Sequence, residues 1–170
     1  MAAGRITPQH PPRPPIPIVP VDATVLERDG WLAAVAPGGE LRTRTIVPEP
    51  RFPGAGLAVA EVAYEVDAGR ALAAQAAADG ATVLVATGES PQAGALAAWL
   101  DGERDGGPLG ALRRLGDGVL CVLVGAALGA GEHGLGYAAD GETAHVAGRL
   151  AAAVESDLAP RLTTVAALPR

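Results

Sequence analysis

The stretch EVAYEVDAGRALAAQAAADGATVLVATGESPQAGALAAWL, residues 61–100, decides the fold of this chain. Its first half is rich in alanine, which favours a helix. The apolar positions that we expect to share the buried stripe of this helix are Val62, Val66, Leu72 and Ala76. Gly80 follows at a position where helices often end on a residue with positive φ.

Residues 82–86 (TVLVA) are β-branched and apolar on both faces, which is typical of a buried parallel strand. A turn follows, and we expect Ser90 and Pro91 to be the N-cap and first residue of another helix. The stretch therefore predicts a helix, a buried strand, a tight turn and a helix. Because ligands of open α/β sheets collect at the carboxyl ends of strands, we place the candidate site at residues 88–94.

The composition sets outer limits on the function. The 170 residues suit one domain, and 49% hydrophobic residues support a core, although only 3% of the residues are aromatic. A formal net charge of −6 argues against a nucleic-acid partner, because phosphate binding needs a basic face. We expect no membrane association, since no apolar run reaches the roughly 18 residues that a membrane span requires.

The cysteine content and the N-terminal sequence predict the cellular compartment. Cys121 is the only cysteine, so the chain has no internal disulfide. The first residues, MAAGRITPQHPPRPP, lack the apolar segment of a signal peptide. We therefore expect a cytoplasmic protein.

The order of the segments predicts the domain organisation. Residues 1–22 are a proline-rich, extended N-terminal segment, and residues 23–170 form an α/β domain. The other predicted elements are a β-hairpin at 23–36, a strand at 41–47, a loop at 101–107, and helices at 108–115 and 142–154. Residues 119–130 are apolar throughout, so periodicity does not separate a strand from a helix there. We expect a single α/β domain with a Rossmann-like, three-layer parallel sheet flanked by helices.

Two motifs point to enzyme classes but lack the necessary context. Residues 129–134 spell GxGxxG, the dinucleotide fingerprint, yet a loop and a short strand follow where a helix should begin. Gly88-Glu89-Ser90 resembles a nucleophile elbow, but Gln92 stands where that motif needs glycine. No group of residues has metal-ligand spacing, so we predict neither a metal nor a cofactor.

The candidate ligand-binding residues lie in two turns that precede predicted helices. They are Gly88, Glu89, Ser90, Gly94, Asp140 and Gly141. Asp140 is also a plausible N-cap of the helix at 142–154. Free backbone amides at the starts of these helices suit a phosphate or a carboxylate. The alternative is that these residues serve only in capping and turn formation.

Five segments in the same order resemble the nicotinate-nucleotide–dimethylbenzimidazole phosphoribosyltransferases of cobalamin lower-ligand synthesis. They are TRTIVPEP (43–50), AYEVDAGRALAAQAAADGA (63–81), ATVLVATGES (81–90), GPLGALRRLGDGVLCVLVGAALGA (107–130) and YAADGETAHVAGRLAA (137–152). In the helix, Ala63, Glu65, Ala68 and Gly69 stand in the order of the family's A-x-E-A-G motif. The resemblance implies that residues 119–130 are helical.

The sequence departs from the family pattern at the residues that carry catalysis. The family's phosphate- and ribose-binding turn reads G-E-M-G-I-G-N-T-T, and here only Gly88 and Glu89 of it remain before Ser90 and Pro91. The family's general base, a glutamate in an L-G-E-G-S-G-A segment, has no counterpart in this sequence. The resemblance therefore implies a shortened, degenerate member that keeps the nucleotide-binding layer without the full catalytic equipment.

Three functions follow from these observations. The first is a non-catalytic or weakly active paralogue that binds a nucleotide-like ligand, such as nicotinate mononucleotide, or a partner subunit. The second is an active enzyme that moves ribose phosphate from nicotinate mononucleotide to a benzimidazole-type base, with Glu89 and Asp140 orienting ribose hydroxyls or base nitrogens. The third is a dinucleotide-binding module that uses Gly129 to Gly134.

We predict a homodimer, or a complex with a longer paralogue, through the small-residue faces at 71–78 or 125–130. The competing explanation is that residues 16–20 fold back over the same patch. Light scattering of the full chain and of a chain lacking residues 1–20 separates the two. A full chain that is monomeric at micromolar concentration, with only the truncated chain associating, would contradict the dimer.

Overall fold

The computed structural model describes residues 41–157 and 162–164, which form one α/β domain. The proline-rich segment 1–22 and the hairpin predicted at 23–36 lie outside the described residues. The elements in chain order are β1 (Thr43–Ile46), α1 (Val59–Ala78), β2 (Val83–Thr87), α2 (Ala93–Asp101), α3 (Gly107–Leu115), α4 (Gly118–Glu132), β3 (Gly136–Asp140), α5 (Glu142–Val154) and β4 (Leu162–Thr164).

The sheet has four parallel strands in the order β1-β2-β3-β4. Strand β2 pairs with β1 on one side and with β3 on the other, so the prediction of a central parallel strand at 82–86 is confirmed with a shift of one residue. The predicted fold class is confirmed as well: the domain is α/β, with a Rossmann-like parallel sheet flanked by helices.

Both faces of the sheet centre are shielded from solvent. Leu84 and Tyr137, paired in register on β2 and β3, join the hydrophobic core that the helices share. Val83 and Ala138 point to the opposite face, and both are fully buried. Burial on both faces explains why the strands are apolar without alternation, as the three-layer arrangement predicted from the sequence requires.

Helices α1 and α4 run in the same direction with their backbones in direct contact. A Cβ atom built on Gly125 would lie 2.0 Å from the carbonyl oxygen of Val66, and one built on Gly69 would lie 2.0 Å from the carbonyl oxygen of Val122. One turn further along, Gly129 lies against Ala73. Glycine is therefore required at these crossings, because any side chain would force the two helices apart.

The apolar run at 119–130 is the centre of α4, as the resemblance implied. Nearly every residue of this helix is buried, which explains why its sequence shows no amphipathic period. Within the part of the chain that the structure describes, no helix is both long and apolar enough to cross a membrane.

The stripe predicted for α1 is wrong at one position. Leu72 is 41% exposed. The buried residues of the helix are Val62, Glu65, Val66, Gly69, Ala73 and Ala76. This set follows the helical spacing of three and four residues, whereas Leu72 lies six residues beyond Val66 and turns toward solvent. A glutamate and a glycine occupy two buried positions, so a search for apolar residues alone missed the true stripe.

We expect Gly125→Ala to lower the free energy of unfolding by about 1–3 kcal/mol or more, because the added methyl group overpacks the α1–α4 contact. The matched control is Gly110→Ala in α3, where nothing lies within 4 Å of the new Cβ atom. That change should stabilise the protein by about 0.5–1 kcal/mol through helix propensity. Urea unfolding of both variants measures the difference, and equal stabilities would contradict the proposed backbone contact.

Candidate functional site

The loops at the carboxyl ends of the strands meet where the sequence placed the candidate site. Thr87 and Asp140, the last residues of β2 and β3, are partners in register. The turn that begins at Gly88 therefore starts beside the turn that begins at Gly141. This edge of an open α/β sheet is where the fold places ligands.

Ser90 joins three elements at this edge. Its hydroxyl donates a hydrogen bond to Asp117 Oδ2 at 2.6 Å and accepts one from the backbone N–H of Gln92 at 3.0 Å. Its own backbone N–H donates to Thr143 Oγ1 at 3.2 Å. The turn after β2 is thus tied to the start of α4 and to the first turn of α5.

Asp117 is the residue of this network that the sequence reasoning missed. It is 5% exposed and is the N-cap of α4, where its Oδ1 accepts from the backbone N–H of Leu120 at 3.1 Å. An aspartate directly before a long apolar helix is a recognisable N-cap signal. That signal was available only if residues 119–130 were first taken as helix.

A second buried carboxylate holds the loop that follows β1. Glu65 is 1% exposed, and its Oε2 accepts from the backbone N–H of Phe52 at 2.7 Å. A Cβ atom on Gly118 would lie 2.3 Å from the carbonyl oxygen of Phe52, so the loop also lies directly on the start of α4. The guanidinium of Arg51 lies over the rings of Phe52 and Tyr64, at 5.7 and 5.6 Å from their centroids.

Cys121 lies beneath these two carboxylates and is not equipped as a nucleophile. Burial, and after it the negative charges of Asp117 and Glu65, raise the pKa of the Cys121 thiol to about 12. The thiolate is the reactive form of cysteine, so this side chain is inert at neutral pH.

The structure brings most of the predicted site residues together. Gly88, Ser90 and Gly141 lie at the shared edge. Glu89 is exposed there and forms no ion pair or side-chain hydrogen bond with the described chain. Gly94 lies in the first turn of α2 and is exposed, and no described hydrogen bond connects it to the other candidates.

Two predicted helix starts need correction. Helix α2 begins at Ala93 with Gln92 as its N-cap, so Ser90 and Pro91 form the preceding turn. Asp140 is the last residue of β3, and the N-cap of α5 is Gly141, with φ of 98°. A short loop with a left-handed glycine makes the turn, so the aspartate is left exposed at the strand end.

The dinucleotide-binding alternative is wrong. Gly129 and Gly131 belong to the last turns of α4, and Gly134 lies in the turn before β3. The fingerprint requires a strand, then the glycines, then a helix, and this chain has the reverse order.

Hydrolysis by Ser90 is unsupported as well. Neither His133 nor His145 hydrogen-bonds to Ser90 within the described ranges. Burial and the charge of Arg149 lower the pKa of His145, which lies half-buried on α5. Residues 41–157 and 162–164 hold no group of three or more His, Cys, Asp or Glu that could bind a metal ion.

Comparison with solved structures finds the same fold in two enzymes from Thermus thermophilus. One is a nicotinate-nucleotide–dimethylbenzimidazole phosphoribosyltransferase, with a TM-score of 0.57 and 24% identity over 66% of this chain and 43% of that chain. The other is described as CobT, with the same TM-score and identity over 66% of this chain and 44% of that chain. No protein-family model matches the sequence, and no curated protein matches it significantly.

These comparisons confirm the resemblance seen in the sequence at the level of the fold. The present chain matches less than half the length of either solved enzyme. The likeness therefore establishes the architecture, and the activity is a separate question.

We expect native Cys121 to resist alkylation by iodoacetamide at pH 8. Its pKa of about 12 lies three pH units above the 9.0 of an unperturbed thiol, so it holds about a thousandfold less thiolate. Mass spectrometry of native and urea-unfolded protein measures the two rates. Equal rates would contradict the buried, protonated thiol.

The same raised pKa predicts a pH dependence of stability. Between pH 9 and about 12 the unfolded thiol loses its proton while the folded thiol keeps it, so the free energy of unfolding falls as pH rises. Urea unfolding at pH 8 and pH 10 should show a smaller decrease in Cys121→Ala than in the unmodified protein. The difference between the two proteins isolates Cys121 from other titrating groups.

Proposed function

We propose that this domain binds a ligand like nicotinate mononucleotide at the carboxyl edge of the sheet, and that it transfers little or no ribose phosphate. The observation that carries the proposal is the network of Ser90, Asp117 and Thr143. It fixes a turn at the place where this fold holds its ligand. A role in cobalamin-related metabolism follows from the likeness to the two solved enzymes.

The side chains at this edge favour binding over catalysis. A general base needs a free acceptor atom within reach of the proton that it removes. Both oxygens of Asp117 accept hydrogen bonds from the protein, and Glu65 lies buried under the loop after β1. Cys121 is held protonated. None of these groups is positioned as a base toward solvent.

An active phosphoribosyltransferase is the second candidate, and Glu89 favours it. This carboxylate is exposed directly after β2, in the Gly-Glu pair that the family turn also contains. Because it has no partner in the described chain, it is free to contact a ligand. In this alternative, Glu89 and Asp140 orient ribose hydroxyls or base nitrogens.

The proposal includes a cytoplasmic location and self-association, with a changed contact surface. The predicted face at 125–130 is buried inside the domain against α1, so it is not a surface for a second chain. The outer side of α1 remains, where Val59, Tyr64 and Leu72 are 73%, 47% and 41% exposed. We propose that a second copy, or a longer paralogue, covers this side of α1.

Calorimetric titration of the full chain with nicotinate mononucleotide tests the proposed function. We expect saturable binding that Glu89→Gln weakens about three- to tenfold, the range of one hydrogen bond. The control is Glu155→Gln, an exposed position after α5, which should bind like the unmodified protein. Incubation with dimethylbenzimidazole should yield no ribazole phosphate. Efficient product formation would favour the second candidate, and no binding would contradict both.

A further inference from the structure

The hydrogen bonds of Ser90 determine which ligand group this turn can recognise. We infer that Ser90 is presented to a ligand as an acceptor only, so the turn recognises a ribose hydroxyl and not a phosphate. The preferred ligand class is then a pyridine riboside, with or without its phosphate. This inference rests on the proposed function and specifies the chemistry of the same site.

A serine hydroxyl has one hydrogen to donate and two lone pairs with which to accept. The hydrogen of Ser90 is committed to Asp117 Oδ2, in a 2.6 Å bond that has the length of a charge-assisted contact. One lone pair accepts the N–H of Gln92. The backbone N–H of Ser90 is committed to Thr143 Oγ1. What remains is one lone pair on Oγ, which can accept a hydrogen from a ligand.

A phosphate at neutral pH mainly offers acceptor oxygens, so it gains nothing from a group that only accepts. A ribose hydroxyl can donate its hydrogen to the free lone pair. The carboxylate of Asp117 is 5% exposed, so solvent does not compete for the hydrogen that it holds. The direction of the Ser90 hydrogen bond is therefore a fixed property of the folded domain.

The charges around the turn act in the same direction. Residues 86–92, 116–118 and 139–143 contain no lysine or arginine. Glu89, Asp140 and Glu142 are exposed there, and Asp117 lies behind the turn. The start of α5 offers backbone N–H groups to an anion, but Glu142 already places a negative charge in its first turn. A doubly charged phosphate is therefore disfavoured at this position.

The first test compares three probes on the full chain by calorimetry: nicotinate riboside, nicotinate mononucleotide and inorganic phosphate. We expect the riboside to bind within about threefold of the mononucleotide, and inorganic phosphate not to compete. If the mononucleotide binds more than about tenfold tighter and inorganic phosphate competes, the inference is overturned while the proposed function stands. Binding of neither nucleoside compound would overturn both.

The second test reverses the hydrogen bond without changing its shape. In Asp117→Asn, the amide oxygen can keep accepting from Leu120 while the amide nitrogen donates to Ser90 Oγ. The Ser90 hydrogen is then free to be donated to a phosphate oxygen. We expect this variant to shift the affinity ratio toward the mononucleotide by about three- to tenfold.

Two measurements keep this second test decisive. A thermal melt of Asp117→Asn shows whether the domain is folded at the temperature of titration. Ser90→Ala removes the remaining acceptor and should weaken the riboside and the mononucleotide by the same factor. An unchanged affinity ratio in folded Asp117→Asn, or a loss in Ser90→Ala confined to the mononucleotide, would overturn the inference.

Discussion

The contact between the backbones of α1 and α4 is the constraint on which the rest of the domain depends. Gly69 and Gly125 let each helix approach the carbonyl oxygens of the other, at separations that no side chain permits. This approach fixes how far one helix slides along the other. It therefore brings Glu65 on α1 close to Cys121 on α4, as the electrostatic influence of that carboxylate on the thiol shows.

The edge of the sheet is built on this pair of helices. Each helix brings one buried carboxylate to its N-terminal end, and each carboxylate binds a different loop. Glu65 holds the backbone of Phe52 after β1, and Asp117 holds the hydroxyl of Ser90 after β2. Buried carboxylates at such positions are tolerated because backbone and hydroxyl donors satisfy them. The loops are positioned by groups that no ligand needs to touch.

Much of this architecture could be predicted from local sequence. The run at 82–86 indicated a buried strand because it is apolar on both faces, and the segment at 142–154 indicated α5 because its apolar residues recur with the helical period. Residues 119–130 gave no such signal, since a helix that is buried all round has lost the contrast between its faces. Only the resemblance to a family identified that run as helix.

The centre of the candidate site was harder to predict, for a physical reason. Gly88, Ser90 and Gly141 were found because strand ends mark them. Asp117 lies 27 residues from Ser90 and is joined to it only by the packing of α4. Glu65 and Gly69 were absent from the predicted stripe because their burial depends on Gly125, a partner on another helix. Long-range contacts of this kind have no local signature.

The three hydrogen bonds of Ser90 also bear on the kinetics of association. A flexible loop must be ordered when a ligand binds, and that ordering costs conformational entropy and slows productive encounters. Here the turn after β2 is held before any ligand arrives, on one side by α4 and on the other by α5. Association at this edge therefore requires no loop closure, and a ligand should meet the site as a rigid surface in a single step.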